Sequence, residues 1–466
     1  MSREEVIIIG GGLAGTEAAW QAARRGLRVV LHEMRPERQT PVHHTSDLAE
    51  LVCSNSLKSN LLDSASGLLK EEMRRLDSLI VRVADAVRVP AGGALAVDRE
   101  RFAKGVTEAI ASQPNIRLAR GEVTAIPAEG PCIVATGPLA SDAIAAAIAA
   151  FIGRGYLYFF DAISPIIEAD TIDRARVFGA SRYGKGGDDY LNCPMTADEY
   201  DRFYNALIHA AEVPAHDFER NTPYFEGCLP IEEMARRGRE TLLFGPMKPV
   251  GLVDPRTGRQ PFAVVQLRQD TLAADFYSMV GFQNHLKFGE QTRIFRMIPG
   301  LEQAEFPRLG QVHRNSYINA PAVLLPTFQA RARRDLFFAG QISGVEGYLE
   351  SAASGMIAGI NAARIARGAA PAIFPATTAL GALARYISAS ESANYQPANI
   401  AFGLLPPLEK NVRDKRLRKQ ALVRRALDDL AAFAAAQLGE PVASPRAATG
   451  DTAAPAPLPE IDRPTA

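Results

Sequence analysis

Near the start of the chain, the β-branched run Val6-Ile7-Ile8-Ile9 leads directly into Gly10-Gly11-Gly12-Leu13-Ala14-Gly15, a G-x-G-x-x-G sequence. Helix-forming residues follow from Thr16 to Arg25, and a second apolar run spans Leu27 to Leu31. A strand, a glycine turn, a helix and a second strand make a βαβ unit, whose strands run parallel and are buried on both faces. The glycines let the backbone approach a pyrophosphate that the helix amino end attracts. Glu33 stands 18 residues past Gly15, at the end of the second strand, where a carboxylate accepts hydrogen bonds from ribose hydroxyls. Together these residues predict a dinucleotide site at Gly10, Gly11, Gly12, Leu13, Ala14, Gly15 and Glu33.

The strand-to-glycine pattern recurs at two later points. Cys132-Ile133-Val134-Ala135-Thr136-Gly137-Pro138 precedes an Ala-rich helix from about Ser141 to Ala150. Asp335-Leu336-Phe337-Phe338-Ala339-Gly340 precedes a small-residue helix from about Ser351 to Ala366. An amino-terminal fingerprint, an Ala-Thr-Gly strand end and a late strand ending at Gly340 favour FAD over a nicotinamide as the bound dinucleotide. The expected fold is α/β: a Rossmann-like FAD-binding domain of glutathione-reductase type with a smaller inserted α/β domain. No second fingerprint follows a strand, so a nicotinamide would visit without a Rossmann domain of its own.

The length of 466 residues corresponds to about three units at roughly 150 residues each. The reading divides the chain into a first FAD-binding part at 1–154, an inserted substrate domain at 155–330, a return segment with a basic helix at 331–439, and a tail at 440–466. The inserted part has mixed patterning, with the aromatic run Tyr156 to Phe160 and an amphipathic stretch from Ala197 to Ala211. The tail holds six prolines among alanine and threonine and too few large apolar groups to offset ordering entropy, so disorder is expected there.

Hydrophobic residues are 47% and charged residues 22%, the balance of a soluble globular chain. Basic and acidic residues number 52 each, so affinity for nucleic acid needs a local patch. That patch is Lys410, Arg413, Lys415, Arg416, Arg418, Lys419, Arg424 and Arg425, set against Asp414 and spaced as on a helix. It reads either as a solvated helix face or as a phosphate-backbone contact. Arg331, Arg333 and Arg334 either extend it or are plain surface charge. The amino terminus has no export-signal pattern, and the apolar stretch Ala143 to Ile152 is too short to span a bilayer, so a cytoplasmic protein without membrane contact is expected.

Cys53, Cys132, Cys193 and Cys228 are too few and too scattered for a disulfide framework or a structural zinc site. Cys132 lies in a strand and Cys193 precedes Pro194, and both read as structural. Cys53 sits in the polar run Leu51-Val52-Cys53-Ser54-Asn55-Ser56, either as a small filler or as a functional thiol. It has no partner at CxxxxC spacing, which argues against a disulfide reductase. Cys228 lies in the tight loop Phe225-Glu226-Gly227-Cys228-Leu229-Pro230, with Arg236, Arg237 and Lys248 following. Basic neighbours raise a thiol's thiolate fraction. His43 and His44 read as satisfied structural groups, with a ligand role as the alternative.

Longer blocks carry a resemblance. The fingerprint, Glu33-Met34-Arg35-Pro36, Glu50-Leu51-Val52-Cys53-Ser54-Asn55-Ser56-Leu57, Tyr224-Phe225-Glu226-Gly227-Cys228-Leu229-Pro230, Gly245-Pro246-Met247-Lys248-Pro249-Val250-Gly251-Leu252 and Gly340-Gln341-Ile342-Ser343-Gly344-Val345-Glu346-Gly347-Tyr348 closely resemble the folate- and FAD-dependent tRNA (uracil-5-)-methyltransferases, the TrmFO family. The likeness extends to about residue 437. It implies methylation of carbon five of the T-loop uridine of tRNA, with methylenetetrahydrofolate as carbon donor. Reduced FAD would serve as methylene carrier and hydride source, and NADPH or NADH as reductant. It also implies catalytic roles for Cys228, adding to carbon six of uracil, and for Cys53, assisting removal of the carbon-five proton. No metal and no stable protein partner are expected. The alternatives are a related FAD- and folate-using enzyme acting on wobble uridine, and a noncatalytic RNA-binding flavoprotein.

Overall fold

The computed structural model describes residues 5–40, 42–153, 157–162, 164–213, 229–310, 312–392, 395–410 and 412–440, with backbone alone for 157–162 and 312–314. The β-branched run forms strand Glu5–Ile9 at the centre of a six-stranded sheet. Across that sheet the order is Gln329–Ala330, Arg333–Phe338, Cys132–Val134, Glu5–Ile9, Arg28–Glu33 and Ile116–Arg120. All neighbours are parallel except the Gln329–Ala330 edge. The strands separated in sequence as 5–9, 132–134 and 333–338 thus lie side by side, and their carboxyl ends carry the glycine turns at one edge.

Helix Leu13–Arg24 begins three residues earlier than the sequence reading places it, so Leu13, Ala14 and Gly15 form its first turn. It crosses helix Tyr348–Ala366 closely. A Cβ on Gly355 would stand 2.1 Å from the Ala14 carbonyl oxygen, and one on Gly359 would stand 2.5 Å from that of Ala18. The small-residue composition of the later helix thus lets the two backbones touch.

Between strands Arg28–Glu33 and Ile116–Arg120 the chain builds a small antiparallel sheet from Ser56–Ser59, Ala94–Val97 and Arg88–Val89. Helices Ala65–Arg75, Leu79–Ala86 and Arg99–Ala111 surround it and share the first hydrophobic core.

A second core, from Ile167 to Ala304, belongs to a five-stranded antiparallel sheet in the order Phe178–Gly179, Tyr190–Met195, Ala263–Gln269, Phe276–Met279, Ile166–Glu168. Helix Ala197–Ile208 packs there, opened by a capping box between Thr196 and Glu199. Strand Leu157–Ala162 pairs with Val312–Tyr317 in a two-stranded link. Tyr317, Ile318, Ala320, Leu324 and Phe328 already pack in the first core. Both parts of the expected α/β architecture are therefore present, the smaller one built on an antiparallel sheet.

The basic run opens helix Lys415–Phe433, with Asp414 as its amino-terminal cap, accepting from the Leu417 N–H at 2.8 Å. Glu440 pairs with Arg24 and Arg25; the rest of the tail lies outside the described residues.

Candidate functional site

The turn after strand Glu5–Ile9 is shaped by contacts that only glycine tolerates. Gly10 has φ +108°, and a Cβ there would lie 2.3 Å from the Ala135 carbonyl oxygen. A Cβ on Gly15 would lie 1.8 Å from the Gly10 carbonyl oxygen. Gly12, at the start of helix Leu13–Arg24, has open space where its Cβ would be. The helix amino end therefore faces a cavity of about 1080 Å³, part of it open to solvent. Ile9 to Ala14, Glu33 to Arg35, Thr136 to Ser141, Gly340 and Tyr348 are among its lining residues.

Glu33 ends its strand with a buried carboxylate. Its Oε2 accepts the Gly11 N–H at 2.9 Å, and its Oε1 accepts the Arg35 backbone N–H at 3.0 Å and Nε at 2.9 Å. Oε2 keeps one lone pair for a further donor such as a ribose hydroxyl. Burial lifts this acid; the Arg35 guanidinium and the N–H groups outweigh it and hold the carboxyl below its ordinary range. Arg35 also donates to Glu50 Oε2 at 3.0 Å, so one buried cation is shared by two carboxylates. Arg35 and Glu50 were not singled out as site residues from sequence, although Arg35 sits two positions after Glu33.

At the carboxyl end of strand Arg333–Phe338, on the same edge, Gly340 has φ +80° and faces Ala14, and its N–H donates to Ser354 Oγ at 2.7 Å. The Thr136 hydroxyl, in the cavity lining, is buried without a partner. A long groove with a glycine floor, a helix amino end, a ribose-competent carboxylate and an orphaned hydroxyl fits an FAD molecule.

Cys53 lies at the Tyr348 end of this cavity, where Val52 and Tyr348 are lining residues. The Tyr348 hydroxyl oxygen accepts the Cys53 N–H at 2.6 Å and the Ser54 N–H at 3.2 Å. Asn55, fully buried, donates from Nδ2 to the carbonyls of Val97 and Gln269, both at 3.0 Å. Arg268 donates to Asn55 Oδ1 at 2.7 Å and to Ser54 Oγ at 2.8 Å. The cysteine loop is thus held between the two units, beside the cavity. Asn55 and Tyr348 fall within blocks that carry the family resemblance but were not singled out, and Arg268 carries no sequence signal, since its contacts join distant segments.

Cys228 lies outside the described residues. Cys132 and Cys193 are fully buried, and burial pushes the Cys132 thiol up to about 12 and raises that of Cys193. His43 lines the cavity with its Nδ1 2.6 Å from Thr40 Oγ1; burial, then the Arg35 charge, lowers its pKa to about 4. His44 serves through its backbone N–H, which donates to Glu50 Oε1 at 2.9 Å. Arg331 donates to the Ser388 carbonyl, and Arg333 to Asp335 and the Gly130 carbonyl, so both guanidinium groups have structural partners. Among the described residues no cluster could hold a metal ion, and no helix is long and apolar enough to cross a membrane.

Comparison with known proteins establishes the family of the chain. Residues 5–370 match the family model described as glucose inhibited division protein A. A protein of Pelotomaculum thermopropionicum named methylenetetrahydrofolate--tRNA-(uracil-5-)-methyltransferase TrmFO is 57% identical over 93% of this chain and 99% of its own length. The chain belongs to the TrmFO family. A TrmFO of the same full name from Heliobacterium modesticaldum is 58% identical over 93% of this chain and 98% of its own. Solved GidA of Aquifex aeolicus, in its form II crystal, superposes with TM-score 0.66 at 16% identity, covering 92% of this chain and 73% of that one. That likeness concerns the fold, which this TrmFO-family chain shares.

Proposed function

We propose that the chain methylates carbon five of the T-loop uridine of tRNA, with methylenetetrahydrofolate as carbon donor, FAD in the glycine-lined cavity, and NADPH or NADH as reductant. The observation that carries the reading is the end-to-end match to relatives of that name, 57% identical over 99% of the relative's length. The loop bearing Cys53 beside the cavity supports it.

When bound, FAD supplies a redox-active ring able to carry a one-carbon unit and deliver hydride. The chain's residues do the rest. Gly10, Gly11, Gly12 and Gly15 bring backbone and helix amino end against the pyrophosphate, and Leu13, Ala14 and Gly340 close the adjoining walls. Glu33 accepts from the ribose with the lone pair left on Oε2.

Carbon five of uracil is a poor nucleophile until a group adds to carbon six. The thiolate of Cys228 makes that addition, and electron density then builds at carbon five. Cys53, its backbone fixed by Tyr348, takes the carbon-five proton after the new carbon–carbon bond forms, and the freed electron pair restores the ring double bond as Cys228 leaves carbon six as its thiolate. The uridine must leave its stack to reach the cavity, at a cost of a few kcal/mol. The exposed basic residues at the start of helix Lys415–Phe433 contact RNA phosphates and offset part of that cost. A tRNA substrate places the reaction in the cytoplasm, with tRNA and folate as the partners it needs.

The test is to purify the protein, record its visible spectrum, and follow labelled methylene from folate into undermodified tRNA with NADPH. A yellow protein that transfers label only with folate and reductant is the expected result. A preparation that stays colourless when supplied with FAD, or methyl arriving from S-adenosylmethionine, overturns the reading. Cys228→Ala should abolish transfer while tRNA still binds; unchanged activity would remove Cys228 from the mechanism.

A further inference from the structure

A thiol that accepts a proton must first have lost its own, and an ordinary cysteine, with pKa about 8.5, is mostly protonated at neutral pH. The surroundings of Cys53 address that requirement. Three guanidinium groups grip the main chain and side chains on either side of it. Arg99 donates to the Leu51 carbonyl at 3.1 Å, Arg308 donates to the Val52 carbonyl, and Arg268 binds Ser54 and Asn55. They come from three separate places in the chain: the first turn of helix Arg99–Ala111, the segment before strand Val312–Tyr317, and strand Ala263–Gln269.

The local charge is unbalanced. Of the acids packed around the loop, Asp270 is tied to Arg99 at 3.0 Å. Asp98 is turned to cap its own helix and to accept the Leu272 N–H at 2.9 Å. Glu50 is committed to Arg35, His44 and Thr45, and Lys58 is paired with Glu350. Tyr348 and Tyr190 are phenols whose pKa burial raises further, so they stay neutral. Arg268 and Arg308 are therefore cations with no carboxylate bonded to either among the described residues. Burial pulls both below the ordinary arginine range, and Cys53 couples to each, behind Tyr190 and Asp270 at Arg268 and behind Tyr348 at Arg308. That coupling is mutual: the charge that steadies the guanidinium is steadied by it.

We propose that Arg268 and Arg308 are positioning residues that hold Cys53 as a thiolate at neutral pH, ready to accept the carbon-five proton. The inference rests on the reading of Cys53 as the base in the function above. It assigns a role to two residues that the sequence left unremarked, and it explains why cations from two units converge on one short loop.

The test is the pH dependence of Cys53 alkylation in the full-length, flavin-bound protein. Iodoacetamide reacts with the thiolate, and mass spectrometry of the Cys53 peptide reads this site apart from the other cysteines. The wild-type rate should reach half-maximum at about pH 7 or below, against about 8.5 for an ordinary thiol. Arg268→Gln and Arg308→Gln should each move the midpoint up by about one unit, and Arg268→Lys should restore most of the shift. Arg308→Gln carries the test alone if Arg268→Gln fails to fold. A wild-type midpoint at or above about 8.5, or midpoints unmoved in folded variants, overturns the proposal and leaves the arginines as structural clamps. Alkylation needs neither folate nor tRNA, so a failure of methyl transfer is read separately from a failure here.

Discussion

The Gly11 N–H donates to Glu33 Oε2 at 2.9 Å, joining the glycine turn to the end of the neighbouring strand. Each therefore holds the other in the shape a dinucleotide needs. Glu33→Gln keeps the volume but removes the charge that Arg35 faces and turns an amide donor toward donors. The expected outcome is a loss of FAD affinity of roughly 10- to 100-fold, or about 1.4–3 kcal/mol. Fluorescence titration of the apoprotein with FAD checks it, and an unchanged affinity would detach Glu33 from the cofactor.

Gly15→Ala places a methyl group 1.8 Å from the Gly10 carbonyl oxygen, so the turn must open. The variant should purify with little or no flavin, and the ratio of visible to ultraviolet absorbance measures this. Full flavin occupancy would contradict the close approach.

Gly355→Ala reverses an ordinary rule. Alanine in a helix interior is normally worth about 1 kcal/mol over glycine. Here the added methyl meets the Ala14 carbonyl at 2.1 Å, and overpacking of about 1–3 kcal/mol or more should win. A lowered Tm is expected, with weaker flavin retention because Ala14 belongs to the fingerprint. A raised Tm would refute the packing argument.

Acid should destabilise the protein partly through His43. Burial first, then Arg35, lowers its pKa to about 4 in the folded chain, whereas the unfolded chain titrates near 6.5. Between those values the unfolded state binds more protons, so stability falls as pH falls from about 6.5 to 4 and levels off below. His43→Gln should flatten that part of a Tm-against-pH curve. Parallel curves for the two proteins would exclude His43 as a source of acid sensitivity.

Lys415, Arg416 and Arg418 are exposed at the amino end of their helix, where the dipole disfavours cations. Replacing all three with Gln should stabilise the helix slightly, by a few tenths of a kcal/mol per residue, while weakening tRNA binding. The slope of log affinity against log salt should become shallower by about 2 to 3. An unaltered slope would mark the run as a solvated face.

The sequence revealed what local chemistry dictates. The run Val6 to Ile9, the glycines after it and Glu33 are close neighbours in the chain, and their period and spacing were enough to place a parallel βαβ unit. The capped helix beginning at Ala197 was legible for the same reason. The small sheet around Arg88–Val89 was not, because two-residue strands leave no periodic trace. The surroundings of Cys53 were also invisible: Arg268 meets Asn55 across 213 residues, and no local pattern reports such a meeting. Helix Leu13–Arg24 started earlier than expected because Gly12, not Gly15, stands at its mouth.

The buried carboxamide of Asn55 bridges a carbonyl of strand Ala94–Val97 and another of strand Ala263–Gln269. Any swivel between the two sheets would have to drag or sever this one amide, two residues from the thiol. The loop that carries the thiol is thereby stitched to both sheets at once, so where the sulfur sits depends on how the two sheets are seated against each other.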